Sequence, residues 1–111
     1  MKSIRALAVG ILALAIAEPA RAFDVSTLGQ LVGWTVVEDT NISGSFEGTD
    51  FDKVVKLDNG DIIEFHGYDY FYEYHPEIVI FGKKVGDVIL YRAVIEGGDE
   101  VYDITFVKIR K

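Results

Sequence analysis

Residues 68–76 read Tyr-Asp-Tyr-Phe-Tyr-Glu-Tyr-His-Pro, the most unusual stretch of this 111-residue chain. In an extended backbone successive side chains alternate sides. That puts Tyr68, Tyr70, Tyr72 and Tyr74 on one face and Asp69, Phe71, Glu73 and His75 on the other. Four phenol rings in a row offer flat faces for stacking and hydroxyls for hydrogen bonds, a surface suited to a sugar, a peptide or a partner protein. The competing use of the same rings is to wrap the core and close one end of the fold, where full burial of each is worth about 2 kcal/mol. The contact residues expected from this stretch are the four tyrosines, with Glu73 and His75 at their edge.

Other residues have the right chemistry in weaker arrangements. Glu47, Asp50 and Asp52 fall within six residues around Gly48, and oxygen-rich loops of that kind hold calcium loosely in extracellular modules. The order of an EF-hand loop is absent, and solvated loop acids are the simpler reading. His66 and His75 are the only histidines; across a turn they could share a metal with Asp69 or Glu73, though nothing in their spacing enforces it. Beyond residue 22 the serines are Ser26, Ser43 and Ser45, none in a nucleophile-elbow context, and there is no glycine-rich phosphate loop. No enzyme activity is expected, and no cofactor beyond a weak calcium ion.

The beginning of the chain indicates where these residues work. Lys2 and Arg5 precede an apolar run over residues 6–17, and Ala20-Arg21-Ala22 is the small-x-small pattern a signal peptidase reads. Residues 1–22 are therefore expected to be a cleaved secretory signal peptide, too short and wrongly flanked for a membrane span. A second small-x-small site at Ala15-Ile16-Ala17 would leave Pro19 two residues into the mature chain. Cleavage after Ala22 leaves residues 23–111 as a single small domain, located in the periplasm or secreted.

The whole chain carries 18 acidic and 11 basic residues. The leader removes Glu18 on one side and Lys2, Arg5 and Arg21 on the other, which leaves 17 against 8, or −9. A surface of that sign repels phosphate backbones and anionic membranes, so nucleic acid is not an expected partner. The chain has no cysteine. Disulfide staples, thiolate metal sites and lipidated-cysteine anchoring are thereby excluded, and the core alone must hold the fold. No second apolar run is long enough to span a bilayer after cleavage.

The elements that must position these residues are almost all strands. Residues 26–33 suit one short helical turn, capped by Ser26 and stopped by Gly33. From Trp34 the pattern becomes β: residues 34–38 form a strand, 39–41 bend or loosen it, and 42–46 continue it or start another. Asn59-Gly60 between two alternating apolar runs predicts a hairpin over residues 54–65 with a type I′ turn. Residues 78–81 form a short buried strand, and 88–95 with 101–110 a second hairpin around the glycines at 97 and 98. Five to six antiparallel strands without a long helix predict an all-β fold, a small, strongly bent barrel or two-layer sandwich, most like an SH3-like barrel.

The run Phe46-Glu47-Gly48, the Lys56-Leu57-Asp58-Asn59-Gly60 hairpin, the alternating tyrosines before Pro76, and Val101-Tyr102-Asp103 resemble a group of small exported bacterial proteins without assigned function. That resemblance implies an SH3-like β-barrel and carries no catalytic residues. The expected task is binding or scaffolding in the cell envelope through the tyrosine surface, the partner being an envelope protein or a glycan. Two alternatives stand beside it. One is a weak calcium module using Glu47, Asp50 and Asp52; the other is a structural subunit that forms a homo-oligomer by adding an exposed edge strand to its neighbour.

Overall fold

The computed structural model describes residues 23–50 and 52–109. The expected signal peptide, residues 1–22, lies outside the described residues. The fold is all-β and antiparallel: a six-stranded sheet curls into a half-barrel, with a two-stranded ribbon over one end. The strands are β1 (Thr35–Asn41), β2 (Ser45–Phe46), β3 (Val54–Lys56), β4 (Ile62–Phe65), β5 (Glu73–Tyr74), β6 (Glu77–Val85), β7 (Val88–Ile95) and β8 (Tyr102–Lys108). The large sheet has the order β1-β6-β7-β8-β4-β3, and β2 pairs with β5.

The sheet curls because one face must be dry. Along β6, Ile78, Ile80 and Gly82 are buried while their neighbours are half-exposed, the period-two pattern of a sheet with one wet side. Ile63 and Phe65 of β4, Ala93 and Ile95 of β7, and Tyr102 and Ile104 of β8 complete the inner wall. Bulges in the pairing of β1 with β6, between Val36 and Glu38, and of β4 with β8, between Ile62 and Ile63, add local bend and twist. At one end the two edges of the sheet meet. Ile42, just past β1, bridges Leu57, just past β3. The Ser43 N–H donates to the Lys56 carbonyl at 3.0 Å and the Asp58 N–H to the Asn41 carbonyl at 2.9 Å.

Several local expectations are corrected by long-range pairing. The hairpin at Asn59-Gly60 exists, but its turn is not type I′. Gly60 has φ +99°, whereas Asn59 is not among the residues with positive φ. The Gly60 N–H donates to the Leu57 carbonyl and the Leu57 N–H to the Asp61 carbonyl, so three residues form the loop. The reason is register. A two-residue turn would pair Leu57 with Ile62, and a shift of one residue sends alternate side chains to the opposite face. The observed pairing of Val55 with Ile63 keeps Leu57, Ile63 and Phe65 on the inner face, all wholly buried.

Strand β6 runs on through Lys83 and Lys84 to Val85, and Gly86-Asp87 turns it tightly into β7. Polar lysines beyond residue 81 read as a strand end because this part of the hairpin is exposed on both sides. Residues 39–41 stay within β1, held by six paired positions along β6. The short helix is a 3-10 helix, Val25–Leu31, and its cap is Asp24 rather than Ser26. The Asp24 carboxylate accepts from the Ser26 N–H at 2.9 Å, which also holds its own pKa below the ordinary carboxylate value. Arg92 fastens this helix to the barrel. Its guanidinium lies 4.6 Å from the Trp34 ring centre, donates to the Gln30 carbonyl at 2.8 Å and donates to Asp103 at 3.2 Å.

If closure at Ile42 and Leu57 holds the half-barrel together, Leu57→Ala will destabilise the protein by about 3 kcal/mol in urea unfolding. A loss below about 1 kcal/mol, the scale of a surface substitution, would show that the seam contributes little.

Candidate functional site

The tyrosine stretch crosses the closed end of the barrel, clamped from two sides. On one side the segment after β2 lies alongside it: Ser45 pairs with Tyr74, Phe46 with Glu73, and Thr49 with Asp69. Gly48 makes this approach feasible. It has φ +94°, and a Cβ there would sit 2.8 Å from the Asp69 carbonyl oxygen. On the other side the turn between β7 and β8 packs beneath. A Cβ on Gly98 would lie 2.9 Å from the Phe71 ring, and one on Gly97 2.8 Å from a Glu73 carboxylate oxygen.

The alternation read from the sequence holds from 68 to 74. Phe71 points inward, with its ring 5.1 Å from that of the buried Phe46. Asp69 is half-buried; it accepts from the Tyr102 hydroxyl at 2.7 Å through one oxygen and from the Tyr70 N–H at 2.8 Å through the other. Tyr68, Tyr70, Tyr72 and Tyr74 point outward, each 60–75% exposed. The tyrosine rings therefore do not close the core, and of residues 68–74 it is Phe71 that packs against it.

His75 breaks the alternation. The sequence puts it on the inner row with Asp69 and Phe71, but its φ of +50° turns the side chain out while Pro76 goes into the core. Exposed at the end of the row, its Nε2 sits 2.6 Å from Asp58 Oδ2, and Ser43 Oγ donates to Asp58 Oδ1 at 2.7 Å. Those two bonds, His75 first, hold the Asp58 pKa below its ordinary value. A serine, an aspartate and a histidine thus meet, but in the wrong order for nucleophile activation. In a hydrolytic triad the histidine stands between the other two, whereas here the carboxylate does.

The remaining sequence candidates do not assemble as expected. The histidines take separate partners, His66 Nε2 standing 2.9 Å from Thr105 Oγ1. Among the described residues, Asp52, Glu64 and His66 have ligand atoms within 4.8 Å of one another; Glu47 and Asp50 are not part of that group. Asp52 gets there because its φ of +68° bends the chain where its N–H donates to the Phe65 carbonyl at 2.9 Å. Calcium takes oxygen ligands, so a set with an imidazole suits a transition ion better.

No family model, curated protein or solved structure matches this chain. The site must therefore be read from its geometry alone, and two of its features were not visible in the sequence. The open end of the barrel holds a cavity of about 360 Å³, lined by Gly82, Ile89, Tyr91 and Phe106 with Glu38 and Asp61 among them. Near the closed end, Asp39 on β1 bonds Glu77 on β6, with Glu96 beside them, and the Glu77 N–H donates to Glu96 at 3.0 Å. This crowd pushes the Glu77 pKa up to about 7, chiefly through the Asp39 hydrogen bond, then burial and the neighbouring charges. No periodicity in the sequence signals either feature, because each depends on which strands pair.

The Glu77 shift has a sign that can be measured. A folded pKa of about 7 against an ordinary value of 4.5 means the folded state holds the extra proton between these values. Stability then falls as pH rises from about 4.5 to about 7, and Glu77→Gln flattens that slope. Urea midpoints across that range check it; an unchanged slope in the variant would assign the effect elsewhere.

Proposed function

We propose that this protein is an exported, non-enzymatic binding or scaffolding module of the bacterial cell envelope that contacts its partner through Tyr68, Tyr70, Tyr72 and Tyr74. The observation that carries this reading is the division of labour within one stretch. Phe71 and Asp69 anchor it, while the four tyrosines contribute little to the core and remain exposed. Contiguous exposed aromatic surface is uncommon on a monomer without a use for it. Tyrosine suits such a use, since its ring supplies contact area and its hydroxyl tolerates water. The clamp by Gly48, Gly97 and Gly98 also supports the reading, because a pre-ordered surface loses less entropy on binding. The leader-like residues 1–22 support export.

The double variant Tyr70→Ala/Tyr72→Ala tests the reading. It should keep its circular dichroism spectrum and a stability within about 0.5 kcal/mol per site of the parent, while losing capture of its envelope partner in pull-down. Phe71→Ala is the contrast, expected to cost about 2 kcal/mol or more. If the tyrosine variant unfolds, or captures the same partner unimpaired, the tyrosine row is not the contact surface.

A further inference from the structure

We infer that the tyrosine row binds an extended, cationic polypeptide segment, one in which arginine or lysine side chains recur along the strand; this rests on the proposed reading of the row as a contact surface. Lysine and arginine are absent from residues 23–52, 57–82 and 93–107, and these three stretches hold every acidic residue after the leader except Asp87. Parts of these stretches build the closed end of the barrel, and other parts, Glu38 and Asp61 among them, line the cavity at the open end. Glu47 precedes the glycine that presses against Asp69 and Tyr70, and Asp99 and Glu100 follow the glycines that press against Glu73 and Phe71. Glu47, Asp99 and Glu100 are all exposed. Segments bearing exposed carboxylates thus adjoin the stretch in two places, one alongside it and one beneath it.

The field there is felt by buried groups. Tyr102, beneath the row, has its phenol pKa pushed up by burial first, then by its bond to Asp69 and by the charges of Asp69, Asp99 and Glu100. Of the basic residues, Lys83 and Lys84 lie at the far end of the β6–β7 hairpin, Lys108 ends β8, Arg92 is paired with Asp103, and Lys53 and Lys56 lie just before and at the end of β3, next to the seam. A guanidinium or ammonium group gains twice on this face, by stacking on a phenol ring and by pairing with a flanking carboxylate. Alternate residues of an extended chain are about 6.5 Å apart, so side chains of a bound extended peptide would meet successive tyrosines in step. A neutral glycan would gain only the ring faces, and an anionic one would be repelled.

The test titrates the purified protein, followed by two-dimensional NMR, with an oligo-arginine peptide, a glycine-serine peptide of equal length and an N-acetylglucosamine oligomer. Oligo-arginine should shift the amide signals of residues 68–74 and 99–100, and should bind at least about tenfold more weakly when salt is raised from about 50 to about 500 mM. The variant Asp99→Asn/Glu100→Gln should weaken it at least about fivefold, whereas Asp24→Asn/Asp87→Asn, an equal change of charge elsewhere, should not. Equal loss in both variants means attraction to net charge only and overturns the inference. If the neutral peptide or the sugar binds the row as tightly, the cationic partner falls while the contact surface stands. If no probe moves residues 68–74, the cationic inference falls, and the envelope capture assay with the tyrosine variant decides the row separately.

Discussion

Leu57 is where the fold is closed. Its N–H donates to the Asp61 carbonyl, its backbone bridges Ile42, and its side chain is wholly buried. The three facts are one constraint. A curled antiparallel sheet with an apolar inner face leaves unpaired edges, and here the residues just past β1 and β3 bring those edges together at one end. The three-residue β3–β4 turn keeps Leu57 in the register that turns its side chain inward while its backbone bridges Ile42. Residues 66–76 cross that end, paired with the segment that follows β1.

That route explains how a stretch of seven residues can serve structure and surface together. A segment with one strand partner on one side only is held weakly by hydrogen bonds, since β2 and β5 pair over two residues each. Close packing supplies the rest: Phe71 against Phe46, Asp69 bonded to the hydroxyl of Tyr102, the backbone at Asp69 and Tyr70 pressed against Gly48, and the side chains of Glu73 and Phe71 against Gly97 and Gly98. The inner row thus bears the cost of ordering the stretch, and the outer row of tyrosines is left exposed without being loose.

The two ends of the barrel differ in kind. The closed end carries the aromatic row and carboxylates crowded enough to hold a proton on Glu77 near neutral pH. The open end carries a cavity with the aromatic wall of Tyr91 and Phe106, whose rings meet edge to face at 4.8 Å, and a lysine pair at its rim. The two ends thus present different side-chain chemistry within one strongly acidic chain.

What the sequence determined by itself was everything governed by neighbours along the chain: the all-β class, the hairpin at Asn59-Gly60, and the two-faced alternation from Tyr68 to Tyr74. Period two is a property of the extended backbone and survives any tertiary context that keeps the backbone extended. Only the tertiary structure decided what depends on register and closure. The left-handed turn at His75, the seam at Ile42 and Leu57, the grouping of Asp52 with Glu64 and His66, and the Asp39–Glu77–Glu96 crowd all arise from pairings between distant segments. A one-residue shift in any strand would dissolve them while leaving every local propensity unchanged.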